Sequence, residues 1–228
     1  MISFRAVSKQ YPGATAPALN QIDLDIKAGE FVSIVGQSGT GKTTLVKLII
    51  AEEKPTGGNI TVGGFKVDSL KNRDVPFLRR QIGVVFQDFK LLPKRTVAEN
   101  IAFALEVANE PRARIKQIVE HALDIVGLNS AGHRYPHELS GGEQQRAVIA
   151  RSIAHRPKIL VADEPTGNLD AVHTAEIVHI LKKIHEFGTT ILLVTHNRDV
   201  VNQLRERVIT LQNGTIVADA AHGTYRLS

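Results

Sequence analysis

Apolar and polar positions along the chain follow two rhythms. Short, nearly continuous apolar runs recur at Phe31-Val32-Ser33-Ile34-Val35, Ile82-Gly83-Val84-Val85-Phe86, Lys158-Ile159-Leu160-Val161-Ala162 and Thr190-Ile191-Leu192-Leu193-Val194. Runs of that length between turn residues are what strands buried on both faces of a parallel sheet require. Upstream of them, Ile22, Leu24 and Ile26 alternate with Asp23, Asp25 and Lys27, the period of a half-buried strand. Asn59 to Val62 predicts a short strand between the Pro55-Thr56-Gly57-Gly58 loop and the Gly63-Gly64 turn. The helical rhythm takes over across residues 96–127, where Ile115, Ile118, Val119, Ala122, Leu123 and Val126 share one face and Pro111 is placed to start that helix. A short helix is expected at Val75 to Arg80 and a long one at Ala171 to Phe187. Val208 to Leu211 and Thr215 to Ala218, joined through Asn213-Gly214, read as a terminal hairpin. The pattern predicts an α/β fold that begins in strands and carries a helical block between Gln87 and Ser140.

Chemistry-bearing residues sit where these runs end. Gly36-Gln37-Ser38-Gly39-Thr40-Gly41-Lys42-Thr43 follows the first buried strand and opens a helix. Glycines there let the backbone aim successive N–H groups at an anion, Lys42 reaches terminal phosphates, and the Thr43 hydroxyl is suited to Mg²⁺. A glycine-rich turn matching by chance would not also need the strand before it and the helix after it. Gln87 lies at the exit of the second run, and Asp163-Glu164 close the third. Asp163 is suited to hold Mg²⁺ beside Thr43, and Glu164 to act as general base on an attacking water. His196 follows the fourth run and can donate a hydrogen bond to a phosphate. His173, His179 and His185, on the long helix, read as solvated. Leu139-Ser140-Gly141-Gly142-Glu143-Gln144 has capping-box spacing at Ser140 and Glu143. Capping alone gives no reason for two consecutive glycines, which would expose N–H groups as a second anion site. Tyr11, in the turn Tyr11-Pro12-Gly13, is either edge packing or a flat face for adenine.

Composition narrows the classes. The chain has 228 residues, is 43% hydrophobic and contains no cysteine, which excludes disulfides, thiol catalysis and cysteine zinc sites. No apolar run approaches a membrane span, and the first residues carry no leader pattern. Residues 66–95 hold eight basic side chains (Lys66, Lys71, Arg73, Arg79, Arg80, Lys90, Lys94, Arg95) and three acidic ones (Asp68, Asp74, Asp88). That surplus equals the +5 of the whole chain, concentrated around Gln87.

The motifs and their order resemble those of the ATP-binding cassette (ABC) ATPases over nearly the whole chain. Gly36 to Thr43 corresponds to Walker A, Gln87 to the Q-loop, Leu139 to Gln144 to the signature, Ile159 to Glu164 to Walker B, Asn168 to Asp170 to the D-loop, and His196 to the switch histidine. The resemblance implies a P-loop NTPase fold of ABC type, with a mixed, largely parallel sheet, N-terminal antiparallel strands and an inserted α-helical subdomain. It implies one domain over 1–228: a core with a β subdomain at 1–87 and 141–228, and a helical insert at 88–140. It further implies ATP contacts at Tyr11, Gly36, Gln37, Ser38, Gly39, Thr40, Gly41, Lys42, Thr43 and Thr44. In a head-to-tail homodimer a second copy would add Ser140, Gly141, Gly142 and Glu143. Catalytic roles would fall to Glu164, His196, Gln87 and Lys42, and Mg²⁺ ligation to Thr43, Gln87 and Asp163.

Within the family, Lys71 to Asp88 is similar to the FtsE type of cell-division ATPase, and so is Ala162 to Asp170, a stretch that related exporters share. That implies an integral membrane partner of FtsX type, a place on the cytoplasmic face of the plasma membrane through that partner, and control of cell-wall hydrolysis. No nucleic-acid partner is expected, because tandem cassettes and coiled-coil insertions are absent. The rival within the family is the ATPase subunit of a lipoprotein-releasing or macrolide-type exporter. A module that binds nucleotide without turnover is a further reading, and intact Glu164 and His196 count against it. Phe89, Leu91 and Leu92, after Gln87, either pack on the inserted helices or line a groove for a helix of the membrane subunit.

Overall fold

A computed structural model describes residues 1–223; residues 224–228, counted above in the single domain, lie outside the described residues. In chain order the strands are β1 (Ile2–Lys9), β2 (Leu19–Ile26), β3 (Phe31–Val35), β4 (Gly57–Val62), β5 (Phe65–Lys66), β6 (Ile82–Val85), β7 (Ile159–Asp163), β8 (Thr190–Val194), β9 (Arg207–Gln212) and β10 (Thr215–Ala220). The helices are α1 (Lys42–Ile49), α2 (Val75–Arg79), α3 (Val97–Val107), α4 (Arg112–Ile125), α5 (Gly141–Ile153), α6 (Ala171–Glu186) and α7 (Arg198–Leu204).

Two sheets share the strands. One is antiparallel in the order β2-β1-β4-β5, and the other runs β10-β9-β3-β8-β7-β6. In the second sheet β9, β3, β8, β7 and β6 are mutually parallel and only β10 is antiparallel. Parallel neighbours need long crossovers, and the helices between these strands supply them. The alternation of side chains along a strand then divides the core in two. Phe31, Leu160, Ala162, Ile191 and Leu193 face a cluster shared with α3, α4, α5 and α6. Val32, Ile34, Ile159, Val161, Leu192 and Val194 face the other side, against α1 and the antiparallel sheet. Both faces of the parallel strands are therefore covered, which is why their sequences read as unbroken apolar runs.

Between β6 and α5, the expected helical stretch is two helices separated at residues 108–111. Thr96 and Glu99 close a capping box on α3, and the apolar face of α4 packs into the first cluster through Val119, Ala122 and Leu123. Three details differ from the sequence expectation. Strand β4 starts at Gly57, inside the expected loop, because Gly57 pairs with Ser8 across a register shift in β1. Helix α7 was not anticipated; Asn197 caps it by accepting from the N–H groups of Asp199 and Val200. His173 and His185 are half-buried rather than solvated, and His185 Nε2 lies 2.8 Å from the Gly29 carbonyl oxygen. Among the described residues no helix is long and apolar enough to cross a membrane.

Candidate functional site

Strand register builds the site. Ile34 and Asp163 both pair with Val194, and Val85 pairs with Ala162, so β3, β8, β7 and β6 end at one level. The loops leaving these ends carry the phosphate loop, Thr195-His196, Glu164 and Gln87 respectively. Groups from four distant parts of the chain thus converge at the carboxyl edge of the sheet, where open α/β sheets bind ligands. A cavity of about 430 Å³ there is lined by Ala18, Ser38, Gly39, Gly41, Lys42, Thr43, Thr44, Gln87, Asp163, Glu164 and His196.

Backbone geometry at the loop explains its glycines. Gly41, the N-cap of α1, has φ 102°, and a Cβ there would collide with the Ala18 carbonyl oxygen. Only glycine both adopts that angle and lets the loop lie against the 18–19 segment. The Lys42 side chain is 8% exposed and curls under the loop, where Nζ donates to the Gly36 and Gln37 carbonyls at 2.8 and 2.9 Å. Burial pushes the Lys42 ammonium below its ordinary 10.5, while Glu164 and Asp163 pull it back up. Gly36 and Thr40 are buried in the loop's support and Gln37 is exposed. The Tyr11 hydroxyl lies 3.5 Å from Thr44 Oγ1, which sets the ring beside the first turn of α1.

The two carboxylates differ in surroundings. Burial raises Asp163 above the ordinary 3.8, with neighbouring Glu164 adding to the rise and Lys42 and Lys90 opposing it. A carboxyl destabilised in its charged form, next to a second carboxylate, is a favourable place for a divalent cation. Thr43 and Gln87 offer oxygen donors in the same cavity. Few protein ligands are what Mg²⁺ takes when phosphate oxygens and water complete its octahedron, so this donor set fits. Glu164 adopts a left-handed backbone with φ 49°, uncommon outside glycine and frequent at functional sites. Its N–H donates to the Val194 carbonyl at 2.8 Å. Its Oε1 lies 2.7 Å from His196 Nδ1, and its Oε2 accepts from Thr195 Oγ1 at 3.1 Å. Thr195 was not foreseen: a threonine at the end of a β-rich run gives no sign of a distant carboxylate partner.

Ser140, Gly141, Gly142 and Glu143 do not line this cavity within one chain. They form the N-terminus of α5, where Ser140 Oγ accepts from the Glu143 N–H and Glu143 Oε2 accepts from the Ser140 N–H. Those bonds from Ser140 hold the Glu143 carboxyl below its ordinary value. Phe89 and Leu91 are half-buried against the first core cluster and also edge a surface depression with Pro136, His137 and Gln144. Leu92 belongs to neither; its backbone is bonded to the Asn100 side chain.

Comparison with known proteins agrees with this geometry. The ABC transporter family model matches residues 19–167. The cell division ATP-binding protein FtsE of Streptococcus pneumoniae serotype 2 is 50% identical over 225 residues, covering 99% of this chain and 97% of that protein. FtsE of Bacillus subtilis is 49% identical (99% and 98% covered) and FtsE of Escherichia coli K12 42% identical (97% and 100% covered). Among solved structures, the dimeric ATP-binding cassette MJ0796 in a post-hydrolysis state with ADP and Pi superposes with TM-score 0.89. It is 34% identical, with 99% of this chain and 100% of that one covered. CbiO1 of Clostridium perfringens, part of the cbiONQ transporter complex, gives 0.88 at 30% identity, covering 96% of this chain and 88% of that one. The chain is a member of the ABC transporter family of ATP-binding cassettes, within its FtsE group of cell division proteins.

Proposed function

We propose that the chain is the ATP-binding and hydrolysing subunit of a membrane complex of FtsE–FtsX type that controls cell-wall hydrolysis during division. One observation carries the catalytic half: Lys42, Gln87, Asp163, Glu164 and His196 line a single cavity with the phosphate loop. The backbone of Ser38 to Thr44 and the start of α1 receive the phosphates of ATP, with Lys42 supplying charge. Thr43, Gln87 and Asp163 would hold Mg²⁺, which when bound would neutralise charge on the phosphates. Glu164 takes a proton from the attacking water. Thr195 and His196, each bonded to one of its oxygens, fix the direction in which the carboxylate points. Tyr11 offers its ring to adenine. The N-terminus of α5, remote from its own chain's phosphate loop, meets the nucleotide of a second copy in a head-to-tail sandwich.

A groove of about 520 Å³ supports the membrane half of the reading. Ile82, Val84, Phe103 and Val107 supply its apolar surface, and Arg79, Arg80 and Arg151 stand around it with no carboxylate in the lining. Phe103 and Val107 are 37% and 58% exposed. Burial holds the Arg151 guanidinium below its ordinary value, and it donates to the Lys90 carbonyl at 2.7 Å. The surface suits an amphipathic cytoplasmic segment with acidic side chains, and Arg151 joins it to the segment that follows Gln87.

The catalytic test is Glu164→Gln, which keeps shape and removes the base. Turnover should fall by about 10²–10⁴ with MgATP binding retained, the usual cost of losing a general base. Phosphate release near the wild-type rate would remove Glu164 from that role.

A further inference from the structure

His173 stands between the start of α5, which the sandwich gives to the nucleotide of the second copy, and the loop that leads into α6. It lies in the first turn of α6, where Asp170 caps the helix by accepting from the His173 N–H at 2.9 Å. The same carboxylate oxygen lies 2.9 Å from His173 Nδ1. These bonds from His173 hold Asp170 below its ordinary 3.8. An ionised carboxylate only accepts, so Nδ1 is the protonated nitrogen and the ring has one orientation. On its other side the ring covers Gly142. A Cβ at that position would overlap the imidazole, with Cγ only 2.7 Å away. Leu169 packs beside Gly141, and the Arg146–Glu176 ion pair joins α5 and α6 one turn further along both helices. The start of α5 and the loop 168–170 are therefore seated on each other through one imidazole.

We propose that His173 is a positioning residue that holds the Ser140–Gly142 cradle against the Asn168–Asp170 loop, and so fixes where the cradle meets the second copy's nucleotide. The inference rests on the head-to-tail sandwich proposed above. It gives Gly142 a second reason to be glycine: besides exposing its N–H, it must leave room for the ring. The Asp170 cap does not depend on the ring, because the backbone N–H of residue 173 remains whatever its side chain. Removing the imidazole should therefore spare folding and spare the binding of ATP to a chain's own phosphate loop, and act only where two copies meet.

The experiment uses the full chain as His173→Ala, Gly142→Ala and the double variant, each alone and with Glu164→Gln. Three quantities are read: binding of a fluorescent ATP analogue to the monomer, ATP turnover, and ATP-driven dimerisation of the Glu164→Gln forms by light scattering. His173→Ala is expected to lower turnover by about tenfold to a hundredfold, the scale of a small misplacement at a reacting centre, and to weaken dimerisation in parallel. Its affinity for the ATP analogue should stay within about twofold of wild type, since a loss confined to turnover marks an interaction made outside ground-state binding. Gly142→Ala should be the worst variant, and the double variant should recover above it because the added methyl then meets no ring. Wild-type turnover and dimerisation in His173→Ala would overturn the proposal, as would a double variant no better than Gly142→Ala. If the Glu164→Gln parent itself forms no dimer with ATP, the sandwich falls and this inference falls with it; dimerisation of the parent with no effect of His173→Ala sinks the inference alone.

Discussion

Replacing Asn100 by alanine should loosen the segment that follows Gln87 at a cost readable from the geometry. Asn100 lies in the first turn of α3 and is 1% exposed. Its Oδ1 accepts from the Leu92 N–H at 2.7 Å. Its Nδ2 faces the carbonyls of Leu92, Arg95 and Thr96 at 3.2, 3.0 and 2.9 Å. The amide has two protons for these three acceptors, so one is shared, and alanine removes two donated bonds and one accepted bond. The Thr96 carbonyl keeps the helical Asn100 N–H as a partner at 2.9 Å, so it is not stranded. At about 1 kcal/mol per bond the loss is about 3 kcal/mol. For a domain of this size each kcal/mol moves Tm by about 2–4 °C, so a fall of about 6–12 °C is expected. Calorimetry of Asn100→Ala reads it, and amide exchange at Leu92 should accelerate alongside. Asn100→Asp should fall further, because a carboxylate would then face the Arg95 and Thr96 carbonyls with no proton to offer. A drop of less than about 3 °C in the alanine variant would refute this accounting of the amide's bonds.

Two further expectations concern the outer surface. Arg207 binds both oxygens of Asp219, at 2.8 and 2.7 Å, and those bonds lower the Asp219 carboxyl. A lowered carboxyl contributes stability that is full above its ordinary 3.8 and is lost as pH falls through the folded value. The Tm gap between wild type and Asp219→Asn should therefore be constant near neutrality and close below that pH; a gap unchanged in strong acid would contradict the pairing. Phe103→Asp, at an exposed position stacked by Arg95 at 4.6 Å, should leave Tm and ATP binding nearly unchanged while abolishing co-fractionation with membranes that contain the partner. Normal co-fractionation would move the docking surface elsewhere.

The site was legible because its residues terminate apolar runs. A buried parallel strand announces itself as four or five apolar residues, and the residue after it must lie at the carboxyl edge of the sheet. That rule alone places Gln87, Asp163, Glu164 and His196 together. What the sequence hid is tertiary. Helix α7 has seven residues, too few to show a period, although Asn197 is a good cap. His173 reads as a solvated residue of α6, and nothing local reveals that Gly142, in another helix, leaves a gap for its ring. Asn100 reads as a polar residue on a helix surface; its burial follows from the loop folding back over α3. Phe89 and Leu91 were ambiguous for a physical reason: they are half-buried on the core and still border a depression.

The placing of β3 between β8 and β9 has a consequence for synthesis. Phe31 pairs with Ile191 and Val32 with Arg207, so the strand that carries the phosphate loop finds both of its neighbours only near the far end of the chain. Translation at about 5–20 residues per second separates the making of β3 from the making of β8 by roughly 10–30 s. During that interval an apolar strand has two open edges and no parallel partner, while the antiparallel β1-β2 pair, complete within the first few dozen residues, is already able to form. The nascent cassette is therefore most prone to misassociation in the middle of its own translation, and the nucleotide pocket is among the last features to close. ATP binding then reports that the chain has been made as far as β9 and threaded in the right order.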